Sequence, residues 1–331
     1  MSAGSTTGSE GVATGRGDAG AVVMVLGAAA SVQVGAGVAA QLFPLVGASG
    51  ATALRLVCAA LVMALLVRPR VRTWTRRQWL LSAAFGVSLA AMNSAFYAAI
   101  ARVPLGVAVT CEFLGPLALA AVLTRRARDL LWVVLALAGV VALGLGGDGA
   151  GGRLDPLGVA LALVAGGFWA AYVLLSARVG AAVPGQGGLA VASVVAAVLV
   201  APAGAAGAGA DLLHVHVLLL GVVVALASSV VPYSLELVAL RRLPERTFGV
   251  LLSLEPALAA LVGFLLLSQA LPATSVAAIA VVVVASAGST LTARSRPRPD
   301  RGTADATGTA AVAGATPVPP PGATCARRDP D

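Results

Sequence analysis

Four ionisable side chains stand inside long apolar runs of this chain: Arg55, Glu112, Glu236 and Glu255. Placing such a group at the centre of a membrane-crossing helix costs roughly 2.5–3.5 kcal/mol on insertion scales, so each must be compensated or used. Glu112 lies four residues before Pro116, so its backbone carbonyl is the one that this proline leaves without an N–H donor. Glu255 directly precedes Pro256. A carboxyl in a low-dielectric medium exchanges protons nearer to neutral pH than it does in water. Glu112 and Glu255 therefore read either as proton sites coupled to a substrate amine, or as neutral acids hydrogen-bonded to a neighbour. Glu236 lies close to Arg241 and Arg242, which makes an ion pair, a gate or a coupling group of it. Arg55 sits too deep to snorkel easily to an interface. It reads as a two-pronged clamp on a substrate carboxylate, or as the partner of Glu112 or Glu255 in a buried structural pair.

Uncharged polar and aromatic residues gather in the same runs: Gln33, Asn93, Phe96, Tyr97, Trp169, Tyr172, Tyr233 and Ser234. Asn93, Phe96 and Tyr97 share one helical face by their three- and four-residue spacing. An amide beside a phenol suits a small polar substrate. The competing role for these residues is structural, since Trp and Tyr anchor helices at membrane interfaces and Asn or Ser join helices by hydrogen bonds.

These groups need elements that cross a hydrocarbon layer of roughly 30 Å, which takes about 20 apolar residues of helix. Such runs lie at 20–43, 48–67, 79–100, 105–124, 129–147, 157–176, 187–203, 217–240, 247–268 and 272–293. Composition agrees: 59% of the residues are hydrophobic, 11% are charged and the mean hydropathy is +0.94, whereas soluble domains run near 25% charged. All 22 basic residues are arginines. With the N-terminus inside, the cytoplasmic loops and tails hold Arg68, Arg70, Arg72, Arg76, Arg77, Arg125, Arg126, Arg128, Arg178, Arg241, Arg242, Arg246 and the tail arginines, and the outer loops only Arg102 and Arg153. The positive-inside rule then predicts an all-α polytopic protein of ten transmembrane helices with both termini cytoplasmic. Residues 1–19 and 294–331, rich in Gly, Ala, Ser, Thr and Pro, have the composition of disordered tails.

The chain also repeats. A shift of 140 residues pairs Pro104 with Pro244 and Pro116 with Pro256, and also Ser94 with Ser234, Ala99 with Ala239, Arg102 with Arg242, Leu114 with Leu254 and Ala120 with Ala260. In each pair of prolines one opens a helix, where a missing N–H costs nothing, and the other interrupts it. Residues 20–147 and 157–293 thus form two five-helix repeats. Five is odd, so the second enters the membrane inverted relative to the first, an arrangement that places a transporter's site near the midplane between the halves.

Other chemistries fit poorly. Gly86-Val87-Ser88 resembles the start of a nucleophile motif, but the histidines, His214 and His216, fall in or beside an outer loop. No metal-binding or protease motif is present, and the glycines at 144–152 end a span instead of opening a nucleotide-binding helix. An enzyme, a cofactor and a metal are not expected. Three scattered cysteines make no disulfide framework. The net charge of +8 is spread over loop ends that meet anionic lipid, which argues against nucleic acid as a partner.

Particular stretches carry a family resemblance. Phe43-Pro44-Leu45-Val46-Gly47 running to Thr52-Ala53-Leu54-Arg55-Leu56, Met92-Asn93, Phe96-Tyr97, Val103-Pro104-Leu105-Gly106 and Glu112-Phe113 with Gly115-Pro116-Leu117 resemble the EamA family of the drug/metabolite transporter superfamily. So do Pro232-Tyr233-Ser234-Leu235-Glu236, Arg242-Leu243-Pro244, Arg246-Thr247-Phe248-Gly249, Glu255-Pro256-Ala257-Leu258-Ala259-Ala260 and Gly288-Ser289-Thr290-Leu291-Thr292. The resemblance spans residues 21–293. It implies two inverted EamA repeats in the cytoplasmic (inner) membrane and export of small amino acids of the threonine and homoserine kind, driven by the proton gradient. Arg55 would hold the substrate carboxylate, Glu112 or Glu255 the amine or the exchanged proton, and Asn93, Tyr97 and Tyr233 would shape the pocket. The alternatives are an exporter of another metabolite or drug with the same fold, or a membrane sensor or assembly subunit without flux; monomer and homodimer both remain. Two positions depart from the family pattern: relatives tend to have Lys where Gln41 stands and Gly-Glu where Ser268-Gln269 stands, which predicts altered gating or packing there.

Overall fold

The computed structural model describes residues 13–124, 127–145, 154–232, 235, 239, 243 and 245–292. The described residues are helical with short connections, and no strand occurs among them. Helices α1 (Ala13–Gln41), α2 (Phe43–Val67), α3 (Arg76–Ile100), α4 (Leu105–Glu112), α5 (Leu114–Thr124) and α6 (Ala127–Leu145) make up the first half. The second half comprises α7 (Pro156–Ala182), α8 (Gly187–Ala208), α9 (Val215–Ala225), α10 (Glu245–Leu252), α11 (Glu255–Leu267) and α12 (Ala273–Thr292). Among the described residues, eight helices have the length and apolar composition to cross a membrane: Ala19–Gln41, Phe43–Val67, Arg76–Ile100, Leu105–Leu123, Pro156–Ala182, Gly187–Leu213, Thr247–Leu267 and Ala273–Thr292. Shorter apolar helices at Leu130–Leu143 and Val215–Ser228 occupy the other two runs.

Helix ends follow the local chemistry. Thr75 and Gln78 form a reciprocal capping box at the start of α3, with the Thr75 N–H donating to Gln78 Oε1 at 2.9 Å. Asp155 caps α7 by accepting from the Leu157 N–H, with Pro156 in the first turn, where its missing N–H is harmless. Gly47 takes φ 67°, which any side chain would strain, so the straight part of α2 starts after it, as the run at 48–67 predicts.

Helix breaks lie close to two of the prolines. The helix carrying Pro116 breaks at Phe113, between α4 and α5, and the helix carrying Pro256 breaks at Ser253–Leu254, between α10 and α11. Pro104 stands at the N-cap of α4. Pro244, Tyr233, Ser234 and Glu236 lie outside the described residues, as do 1–12 and 293–331. Two boundaries differ from the sequence reading. Helix α1 starts at Ala13, within the stretch read as an N-terminal tail, because extending an existing helix adds one hydrogen bond per residue fixed. The run at 217–240 is not one regular helix: α9 ends at Ala225 and passes into a π-helical turn, Leu226–Val230, ahead of Pro232.

The halves interlock reciprocally. Helix α3 packs on α7 and α8, and α9 packs on α1 and α2; α4 and α5 pack on α7, and α10 and α11 pack on α1. Helix α2 also meets α8, α4 meets α11 and α6 meets α12. Small residues permit these approaches, as where Gly106 of α4 lies against Ala260 of α11. Large side chains such as Leu65, Leu66, Leu123, Phe264 and Leu265 point outward, the face that hydrocarbon chains cover.

The two departures from the family pattern prove to be helix-end contacts. Gln41 Nε2 donates to the Leu266 carbonyl near the end of α11 (3.3 Å), and Gln269 Oε1 accepts from the Leu105 N–H at the start of α4 (2.9 Å). Together they tie α1, α4 and α11 at one end of the bundle, a packing role. Ser268 caps α11 in the left-handed region at φ 54°, which costs a residue with a Cβ roughly 1–2 kcal/mol. Ser268→Gly should therefore raise stability by about 1 kcal/mol, read as a higher melting temperature of the detergent-solubilised protein. An unchanged or lower melting temperature would show that the Ser268 side chain compensates its backbone.

Candidate functional site

Arg55, Glu112 and Glu255, drawn from α2, α4 and α11, line one cavity of about 250 Å³ between the two halves. The broken helices put the acids there. Glu112 is the last residue of α4 and Glu255 the first of α11, so each stands beside a break. Glu112 is buried, at 9% exposure, and both Glu255 and Arg55 lie within coulombic reach of it. The Glu255 carboxylate occupies the start of α11, the positive end of that helix's backbone dipole.

Arg55 is held from behind. Its Nη1 donates to the Tyr97 hydroxyl at 3.3 Å, and its Cζ lies 5.5 Å from the centroid of the Tyr97 ring. A cation over an aromatic face gains about 0.5–2 kcal/mol, depending on desolvation. Tyr97 is fully buried and also packs against Phe43 and Phe96. It positions the guanidinium instead of lining the cavity, which refines the pocket-shaping expectation for this residue.

The remaining described candidates converge. Gln33 of α1, Asn93 and Phe96 of α3, and Trp169 and Tyr172 of α7 all line the cavity. Asn93 Nδ2 donates to the Leu89 carbonyl one turn earlier (2.8 Å), which steers the rest of the amide. Trp169 packs edge-on against Phe113 at 5.0 Å and Tyr172 against Phe85 at 4.9 Å, so each ring has an interior partner. His214, by contrast, is exposed and pairs with Asp211 at 3.3 Å, as its loop position predicts.

Sequence reasoning missed Ser193 of α8 and Ser228 of the π-helical turn, which line the same cavity. A serine in an apolar run carries little signal, because it satisfies itself as readily on its own helix. Ser193 does so, donating to the Leu189 carbonyl at 2.9 Å.

The break in α4/α5 is pressed onto α7 by glycines. A Cβ on Gly166 would collide with the Glu112 carbonyl, and one on Gly115 would collide with the Gly166 carbonyl. Backbone meets backbone here, so no side chain can yield. Gly166→Ala should separate α4 from α7 and lower both folded yield and transport, by more than the roughly 1–3 kcal/mol of ordinary overpacking. Size-exclusion profiles of the detergent-solubilised variant, compared with Gly167→Ala at a neighbouring position that has open space, check this.

A multi-pass helical membrane protein whose described halves share a small cavity lined by a guanidinium and two carboxyls has the build of a carrier. The chain is a member of the EamA-like transporter family: that family's profile matches residues 156–291, and a curated relative, the threonine/homoserine exporter RhtA of Escherichia coli K12, is 46% identical over 259 residues, covering 78% of this chain and 87% of the relative. The threonine/homoserine exporter RhtA of Salmonella typhimurium LT2 matches with the same identity and coverage. The family and these relatives are transporters, so the protein is not an enzyme. A solved structure described as "Crystal structure of protein" aligns with a TM-score of 0.50 at 19% identity, over 81% of this chain and 94% of that one, which shows a shared fold.

Proposed function

We propose that this protein exports small amino acids of the threonine and homoserine type across the cytoplasmic membrane, by proton-coupled antiport and alternating access. The observation that carries the reading is the meeting of Arg55, Glu112 and Glu255 in one cavity. A zwitterion has one anionic and one cationic end, and these groups match both. Arg55, braced by Tyr97, takes the carboxylate in a charge-assisted contact. Glu255 or Glu112 takes the ammonium, and the other exchanges the proton. Protonation on the outer side releases substrate, and deprotonation on the inner side admits the next. The 46% identity to threonine/homoserine exporters supports the substrate class.

Ten membrane helices in two inverted repeats, at 20–147 and 157–293, form the moving parts of this reading. It is supported by the reciprocal packing of the halves and by helix breaks that recur at Phe113 and Ser253. The tails at 1–19 and 294–331 lie on the cytoplasmic side in this arrangement.

The test is uptake of radiolabelled threonine and homoserine into inverted vesicles with an inward-acidic pH gradient. Accumulation that a protonophore collapses supports the proposal. Vesicles with verified protein and an intact gradient that accumulate neither amino acid overturn it.

A further inference from the structure

The connection between α2 and α3 carries Arg68, Arg70, Arg72, Arg76 and Arg77, all exposed. Among the described residues no carboxylate pairs with any of them; the ion pairs that do form are Arg102 with Asp155 and His214 with Asp211. Asp155 precedes α7 and Asp211 follows α8, whereas the α2–α3 connection packs where α7 ends and α8 begins. The described acids outside the cavity thus stand at the opposite end of the bundle. Like charges crowded into so short a stretch repel one another, and an anion among them relieves that repulsion.

The connection is a fixed platform. Arg68 ends α2 in the left-handed region at φ 43°, with its backbone N–H donating to the Ala64 carbonyl and its Nε to the Leu65 carbonyl at 3.2 Å. A 3-10 turn follows at Val71–Thr73, where Thr73 Oγ1 donates to the Arg70 carbonyl at 3.4 Å. Trp74 then meets the other half, since a Cβ on Gly187 would lie 3.2 Å from its ring. Gln78 Nε2 makes a second tie, donating to the Ala182 carbonyl at 2.7 Å. Trp79 rests on Trp74 with ring centroids 5.5 Å apart and stays 42% exposed. Leu65, Leu66 and Leu80 are exposed as well, each within a helical turn of the nearest arginine and deeper in its helix.

We infer that this platform binds the headgroup of an anionic phospholipid. Guanidinium forks match the paired oxygens of a phosphate, and arginines clustered at a helix end attract anionic headgroups over a short range. The exposed indole suits the membrane–water boundary, and Leu65, Leu66, Trp79 and Leu80 lie where the acyl chains of a bound lipid would run. Free phosphate offers the same oxygens and nothing for that apolar border. A zwitterionic headgroup sets its own cation against the arginines. Arginine in an inner loop orients a helix during insertion whatever surrounds it; a rigid backbone and an indole pair are more than that task requires.

The experiment places the full chain in phosphatidylcholine vesicles with a fixed fraction of chain-brominated lipid, either phosphatidylglycerol or phosphatidylcholine, and reads tryptophan fluorescence. The quenching that disappears in Trp79→Phe belongs to this site. Brominated phosphatidylglycerol should hold that share with about fivefold or more the relative affinity of brominated phosphatidylcholine. Arg70→Gln combined with Arg72→Gln should bring the two lipids nearly level. Arg102→Gln, at the other end of the bundle, should leave the preference intact. A wild type without preference overturns the inference, and so does an equal loss in Arg102→Gln, which would mean general surface charge. Inorganic phosphate that abolishes the preference without shifting that of Arg102→Gln vesicles to the same degree would mark a free-anion site and also overturn it. Should the double variant fail to insert, Arg77→Gln, a single exposed side chain, decides: an unchanged preference overturns the site, and a reduced one supports it.

Discussion

Arg55→Gln removes saturable threonine transport at ordinary substrate concentrations while the protein still folds and inserts. In the proposed site the guanidinium takes the substrate carboxylate, and Tyr97 fixes its direction through the 3.3 Å hydrogen bond and the ring contact. Truncating one partner of a buried, hydrogen-bonded charge pair costs about 2–5 kcal/mol. At about 1.4 kcal/mol per decade, this is roughly 30-fold to several-thousand-fold in apparent affinity. Glutamine keeps much of the length and donates hydrogen bonds, so the loss reports charge and geometry, not an empty space. Tyr97→Phe should give a smaller loss of the same kind, because the ring stays and only the hydroxyl goes. Counterflow at graded threonine concentrations checks both. An Arg55→Gln carrier with unchanged affinity would mean that Arg55 serves the helix bundle and not the substrate.

Glu112→Gln separates transport from its energy source. The isosteric amide keeps the shape of a buried side chain at the end of α4 but cannot gain or lose a proton. If Glu112 carries the exchanged proton, accumulation driven by a pH gradient falls to the level of simple equilibration, while threonine–threonine counterflow continues. Glu255→Gln should instead depress both, since a negative carboxylate at the positive end of α11 is the better seat for an ammonium. Parallel accumulation and counterflow measurements on the two variants distinguish these roles. The reverse pattern would exchange the two glutamates; unimpaired accumulation in both variants would remove the intramembrane acids from the coupling step.

Much of this was legible in the residues. The apolar runs demanded membrane helices, because an unpaired backbone in hydrocarbon is too costly for any other continuous structure. Pro116 and Pro256 mark two helices in which a backbone hydrogen bond is lost, and breaks lie close by at Phe113 and Ser253–Leu254. Arg55, Glu112 and Glu255 stood out because a charge in an apolar run is expensive wherever the run packs. Ser228 and Ser193 did not stand out, since a serine in a helix bonds its own backbone unless its neighbours prevent it. Gln41 and Gln269 signalled a departure without a meaning; their contacts join helices 164 residues apart in the case of Gln269 and Leu105.

What the chain's composition and spacing settled was therefore local and solvent-driven: which segments leave water, where they bend, and which charged groups go with them. Transfer energies and backbone hydrogen bonds act residue by residue and leave their mark in one dimension. Packing settled the rest. That Tyr97 holds Arg55 instead of lining the cavity, that Trp169 and Tyr172 reach the cavity from α7, and that Gln33 and Ser228 join them there depend on contacts between helices far apart in the chain. Those contacts are decided by close-packed shape, glycine against backbone and ring against ring, to which no single segment holds the complement.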